Sequence, residues 1–162
     1  MITNKKISEK REKQAANNIQ GRAHAASGAF WNKKSDLSNE NFLVEDKFTH
    51  KDNYSIKLGV LLKVERESKQ VNKIPILRFG FESRGKNFAL VRKQDFAMEI
   101  NPPYHFNSKS KSISFTYEEL LNIYIRSKKI EMALIKFTES GREYVLMRWE
   151  DFVDCMKNFL CE

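Results

Sequence analysis

The sequence predicts an α/β protein with a mixed central β-sheet flanked by helices, and a duplicated helix–strand–hairpin–helix unit towards the C-terminus. Three observations predict it. Short runs rich in β-branched and aromatic residues, bounded by polar clusters, alternate with segments of helical periodicity, as in layered α/β domains. Of 162 residues, 41% are hydrophobic and 12% aromatic, too many for a disordered chain and enough for a packed core. The last third of the chain also repeats the pattern of the middle third.

Taken in order, Ile7 to Ile19 reads as a charged helix with Ala15, Ala16 and Ile19 as a thin apolar stripe. Gln20-Gly21 ends it, because Gly accepts a left-handed cap. Ala23 to Phe30, rich in small residues, reads as a loop entering a strand. Ser35-Asp36-Leu37 lies on a strand, Ser38-Asn39-Glu40 turns, and Asn41 to Thr49 returns as a strand. Ser55 is expected to cap a helix carrying Leu58, Leu61, Leu62 and Val64. Ile74 to Phe81 is a strand with Pro75 near its start, where Pro is tolerated. Arg84-Gly85-Lys86 is a hairpin turn, Phe88 to Val91 the returning strand, and Arg92 to Phe96 a short helix. Asn101-Pro102-Pro103 breaks the pattern as a linker.

The repeat has two offsets. Ser55, Leu61, Ser68 and Lys69 recur 59 positions on as Ser114, Leu120, Ser127 and Lys128. After a three-residue deletion, Ile74, Phe81, Gly85, Leu90, Arg92, Asp95 and Phe96 recur 56 positions on as Ile130, Phe137, Gly141, Leu146, Arg148, Asp151 and Phe152. The glycines suit turns of positive φ, and the aspartates suit caps at a strand-to-helix junction. The expected organisation is residues 1–100 as one domain, 101–111 as a linker and 112–162 as a unit repeating 55–98 without catalytic residues.

Bulk properties narrow the function. Lys and Arg number 29 against 21 Asp and Glu, giving a net charge of +8 that favours a polyanionic partner. Charge alone does not separate nucleic acid from anionic membrane. No apolar run approaches the ~20 residues of a membrane span, and no signal core opens the chain. The expected place is the cytoplasm, or the host cytoplasm for a virus-encoded protein. Cys155 and Cys161 lack a zinc-ligand spacing. They read as thiols of a reducing compartment, with a single disulfide as the alternative. His24, His50 and His105 are dispersed and imply no nucleophile–base pair.

One constellation carries chemistry. Asp36 lies nine positions before Glu45, and Lys47 lies two after it. On a strand Glu45 and Lys47 share a face while Asp46 points away. The turn at Ser38-Asn39-Glu40 returns Asp36 beside Glu45. Two carboxylates can hold Mg²⁺, and the Asp46 carbonyl can add an oxygen ligand. The metal activates water and neutralises charge on a phosphate, with Lys47 orienting that water. A solvated strand edge with an ion pair shows the same spacing, so the motif needs its context.

That context resembles a known family. Ser27-Gly28-Ala29-Phe30, Lys33-Lys34-Ser35-Asp36 and Phe42 to Thr49 resemble the phage and archaeal Holliday junction resolvase-like branch of the PD-(D/E)xK nucleases. The likeness runs over roughly residues 8–98, with Ser55-Ile56-Lys57, Pro75 to Phe81, Phe88 to Arg92 and Asp95-Phe96 as its later parts. It implies a restriction-endonuclease-like fold and an Mg²⁺-dependent endonuclease acting on DNA, with Mn²⁺ able to substitute. It also implies Asp36 and Glu45 as metal ligands, Lys47 as the catalytic lysine, and Glu12 as the helical acid, with Glu9 as runner-up. Ser27, Arg22, Ser55 and Lys57 fall on DNA-contacting positions, and Lys33 and Lys34 are well placed for phosphate. Two departures stand out: Ser35 replaces the proline of the family name, and Gln20-Gly21 stands where relatives often carry Gly-Gly.

Cutting two symmetry-related strands of branched DNA implies a homodimer. Rivals are a flap, nick or duplex substrate, a non-catalytic nucleic-acid-binding module of the same fold, and a structural protein. Lys5, Lys6, Lys10, Arg11 and Lys13 crowd the first helix and read as phosphate contacts. Phe30-Trp31 suits base stacking at a junction, a dimer contact or the core.

Overall fold

The computed structural model describes residues 3–23, 36–82, 84–124 and 131–156. Helix α1 (Asn4–Asn18) is capped by Thr3 and buries Ala15 and Ala16. Strands β1 (Arg22–Ala23), β2 (Leu37–Ser38), β3 (Phe42–Thr49) and β4 (Asn53–Lys57) precede helix α2 (Leu58–Gln70). Strands β5 (Ile74–Phe81) and β6 (Asn87–Arg92) lead to a 3-10 turn over Lys93–Asp95. Strands β7 (Tyr104–Ser108) and β8 (Ser112–Thr116) then precede helix α3 (Tyr117–Tyr124). Strands β9 (Ala133–Phe137) and β10 (Arg142–Arg148) end in helix α4 (Trp149–Cys155).

Eight strands form one mixed sheet in the order β1-β2-β3-β5-β6-β10-β9-β7. The pairs β3/β5 and β7/β9 are parallel, and the other pairs are antiparallel. Alternation along β5 and β6 sends Leu77, Phe79, Phe81, Phe88 and Leu90 to one face, beneath α2, α3 and the separate β4–β8 ribbon. Ile76, Ala89 and Val91 go to the other face, with α1 and α4. Helices thus flank a mixed sheet, as the sequence predicts. No helix of the described residues is long and apolar enough to cross a membrane.

Several expectations are corrected. Ser55 caps no helix: it lies on β4, opposite Ser114 of β8. Alternation decides this, since Ile56 is fully buried and Tyr54 stacks on Phe79 at 4.5 Å. Helix α2 starts at Leu58, whose N–H is taken by the Lys111 carbonyl at 2.8 Å rather than by a side-chain cap. The left-handed residue ending α1 is Gln20 (φ 52°), not Gly21. The Gly21 N–H reaches the Ala16 carbonyl at 2.7 Å and the Gln20 N–H that of Asn17, a Schellman motif. Gly21 is needed for another reason: a Cβ there would lie 2.5 Å from the Ser38 carbonyl oxygen of β2.

Gly141 has φ +66°, but Gly85 has no positive φ. Asp95 and Asp151 do not cap; each forms a two-pronged ion pair with the arginine three residues before it, Arg92 or Arg148. The stretch read as a linker contributes β7, which pairs with β9. Both copies of the repeat have the same order of elements, each opened by a strand. They meet across two-fold-related pairs: Ser55 faces its own equivalent Ser114, and Leu90 faces Leu146.

Candidate functional site

Asn39 shapes the turn that brings the acids together. Its Oδ1 accepts the N–H groups of Asn41 (2.9 Å) and Phe42 (2.7 Å), which tightens the β2–β3 hairpin. The Asp36 N–H then bonds the Val44 carbonyl at 3.1 Å, and Asp36 Oδ2 accepts the Asp46 N–H at 2.7 Å. Period-two geometry on β3 puts Glu45 and Lys47 on the α2 face of the sheet. Glu45 is 3% exposed, and its Oε1 accepts from Lys47 Nζ at 2.6 Å and from Lys63 Nζ at 3.2 Å. Lys63 comes from α2 and was missed in the sequence. It flanks the apolar stripe of the helix that follows the E-x-K strand, which is the only sequence sign of it.

Burial lowers the proton affinity of Lys47. The bond to Glu45 and the charges of Glu45, Asp36 and Asp46 outweigh it, so its net shift is above the ordinary lysine value. Lys47 is therefore an ammonium group at neutral pH. Glu12, on α1, lies within electrostatic reach of Asp36 and Asp46. Burial first, then Asp36, Asp46 and Glu9, raise its carboxyl above the usual range, against a 2.6 Å bond from the Ser8 hydroxyl. Glu9 itself is exposed. Asp36, Glu45 and Lys47 thus converge, with Glu12 nearby.

Asp46 points away, as alternation requires, into a buried cluster. Its carboxylate takes Arg78 Nη1 at 2.7 Å and Arg11 Nε and Nη2 at 3.1 Å each. Arg78 is 1% exposed and lies over the Trp149 ring. Arg11, expected as a phosphate contact, is instead held by Asp46 beside Phe48. Lys5, Lys6, Lys10 and Lys13 are exposed on α1. Arg22 lies on β1 opposite Ser38. Ser55 is half-buried and Lys57 exposed on β4. Ser27, Lys33, Lys34, His24, Phe30 and Trp31 lie outside the described residues.

Asp36 and Glu45 offer oxygen donors only. Among the described residues no three His, Cys, Asp or Glu side chains gather to hold a metal by themselves. Such a donor set fits a small hard cation that keeps several waters, as Mg²⁺ does, rather than a zinc site. A hollow of about 550 Å³ between Glu65, Arg92 and the Ser140–Tyr144 turn contains none of these residues. Its charges are satisfied internally: buried Glu65 accepts from Tyr144 and Arg142.

No family model and no curated protein matches the chain. Among solved structures the chain is similar to Hjc of Archaeoglobus fulgidus, a Holliday junction resolvase from an archaeal hyperthermophile. The TM-score is 0.45 and the identity 10%, over 68% of this chain and 87% of that one. At that level no residue-by-residue correspondence follows, and the chemistry rests on the side chains described above.

Proposed function

We propose that the chain is a metal-dependent DNA endonuclease centred on Asp36, Glu45 and Lys47. One observation carries the reading: two carboxylates and two ammonium groups converge around a buried strand position that opens to solvent through Lys47 and Lys63. Asp36 and Glu45 would hold Mg²⁺ or Mn²⁺, with the Asp46 carbonyl as a further oxygen. Bound there, the cation supplies charge neutralisation on the scissile phosphate and an acidified water.

The chain's own residues do the rest. Lys47, whose Nζ lies 2.6 Å from Glu45 Oε1, is placed to orient the attacking water and to offset negative charge on phosphate oxygens. Lys63 adds a second positive charge from the helix side. Glu12, the helical acid, stands on α1 with its carboxylate held by the Ser8 hydroxyl at 2.6 Å, on the Asp36 side of the site. The exposed lysines of α1, with Arg22, Ser27, Lys33, Lys34, Ser55 and Lys57, supply the phosphate contacts that position DNA. A non-catalytic DNA-binding module of the same fold is the second reading, in which Lys47 and Lys63 serve only as ion-pair partners of Glu45.

Branched DNA is the proposed substrate class. Resolving a four-way junction, or cutting both strands of a duplex site, takes two centres and so a homodimer, whereas a flap or a nick takes one. The test is to incubate labelled four-way junction, flap and linear duplex with and without Mg²⁺. Cleavage should require the metal and vanish in Asp36→Asn and Glu45→Gln, while DNA binding persists through the basic side chains. Wild-type cleavage by either variant would remove the assignment.

A further inference from the structure

The two copies of the repeat are related by a two-fold axis inside one chain. Two antiparallel pairings are centred on equivalent residues, Ser55 with Ser114 and Leu90 with Leu146. Backbone bonds come in matching pairs. The Leu58 N–H meets the Lys111 carbonyl, and the Tyr117 N–H, 59 positions on, meets the Asp52 carbonyl. The Glu82 N–H meets the Thr49 carbonyl, and the Thr138 N–H meets the Ser108 carbonyl.

The same symmetry identifies a counterpart for the catalytic strand. β3 runs parallel to β5 with Glu45 opposite Leu77, Lys47 opposite Phe79 and Thr49 opposite Phe81. β7 runs parallel to β9 with Tyr104 opposite Ala133, Phe106 opposite Ile135 and Ser108 opposite Phe137. The equivalences Leu77/Ala133, Phe79/Ile135 and Phe81/Phe137 hold the 56-residue offset, and β3/β7 holds the 59-residue offset. The repeat is therefore longer than its sequence identities suggest. At the second position Tyr104 stands for Glu45, Phe106 for Lys47, Ile113 for Tyr54 and Asn122 for Lys63.

This second position cannot perform the first one's chemistry. Phe106, Ile113, Phe115 and Ile123 line an apolar hollow of about 380 Å³ there. Its one acid, Glu119, caps α3 by accepting the Thr116 N–H at 2.7 Å. β7 is the edge of the sheet among the described residues, so no neighbour stands where β2 brings Asp36 to β3. The edge of β6, through which a second copy would pair two-fold, is already occupied by β10 of the same chain.

We infer that the chain is a single-chain pseudo-dimer with one incision centre, so that each encounter with DNA cuts one strand and leaves a nick. The inference rests on the endonuclease reading above and narrows it. A two-centred enzyme needs two chains to cut two strands; here the second half fills the partner's structural place without its chemistry. The second half completes the fold, and the one surviving centre sets the product.

The experiment is a time course of the full-length chain with Mg²⁺ on a supercoiled plasmid carrying an extruded cruciform. A first nick releases the supercoiling, and the cruciform is reabsorbed before a second cut. A one-centre enzyme should therefore convert supercoiled DNA to open circle, with no linear product until the supercoiled form is consumed. Two-centre cutting within one complex gives linear DNA from the start, which would overturn the inference and leave the endonuclease reading standing. Plasmid that stays supercoiled, together with labelled flap and duplex left uncut in the same buffer, would remove both. Sedimentation of the free chain gives a separate readout: a mass near 19.1 kDa is expected, and a stable dimer at assay concentration would overturn the pseudo-dimer.

Discussion

At the scale of single residues, Glu45 and its neighbour Asp46 face opposite ways on the strand, one towards the proposed chemistry and the other into a buried ion-pair cluster. Glu45 faces two lysines that reach solvent, whereas Asp46 answers Arg78, whose guanidinium is 1% exposed and whose Nε has no partner among the described atoms. Burial pulls the Arg78 proton affinity down, and the Asp46 charge opposes that. Without the carboxylate, a buried guanidinium would be left facing Arg11, a like charge. Breaking a buried ion pair from one side costs about 3–5 kcal/mol. Asp46→Asn should therefore lower unfolding stability by that order in urea titration. A loss under about 1 kcal/mol, the range of an exposed pair, would show that Arg11 and Arg78 find other partners. Glu45→Gln in the same assay should cost less, because Lys47 and Lys63 are nearly half exposed and rehydrate.

Among elements, the end of α1 has a correctable flaw. Gln20 holds φ 52° at the position where helices favour glycine. A side chain there costs about 1–2 kcal/mol, and glycine returns about 0.4–1 kcal/mol of that through the freer unfolded chain. Gln20→Gly should then raise stability by roughly 0.5–1 kcal/mol, seen as a higher urea midpoint at unchanged slope; a lower midpoint would mean that Gln20 makes a contact worth more than its strain. Asn72 plays the same role after α2 with a residue type better suited to it. Elements set by local pattern were legible in the sequence: α1, the apolar run of β3 bounded by polar clusters, and the β5–β6 hairpin. So was the E-x-K face, because period two fixes it. The β4–β8 ribbon was not, since each strand is five residues long and its partner lies 59 positions away. β7 was hidden by Pro102 and Pro103, which stand where β3 has Leu43 and Val44 and shorten the strand by removing N–H donors. Lys63 and the Arg11–Asp46–Arg78 cluster were illegible because only tertiary packing chooses which charge meets which.

For the whole molecule, the duplication fixes what can be removed. The face of the sheet bearing Phe79, Phe81, Phe88 and Leu90 is covered partly by its own half, through Tyr54 and α2, and partly by the other half. Tyr117 packs edge-on against Phe81 and Phe88, and Tyr124 stacks on Phe88 at 5.8 Å. Deletion from Asn107 onward keeps every proposed catalytic residue but removes β8 to α4. It strips the partner strand from β4, opens the edge of β6 and uncovers those aromatic rings. Re-exposing a buried side chain of this size costs about 1.5–3 kcal/mol. Losing several therefore consumes a sum comparable to a domain's entire stability of about 5–15 kcal/mol. An apolar edge strand without cover also pairs with other chains. The truncated chain should accordingly aggregate or remain unfolded by circular dichroism, with poor cleavage. The intact chain should unfold in one transition with coincident fluorescence and circular dichroism curves. Trp149 reports from the second half, packed over Arg78 of the first, so a probe in one half senses the other. Two separated transitions, or a soluble and active chain ending before Asn107, would show that the halves fold independently and that the second is an accessory rather than part of the sheet's support.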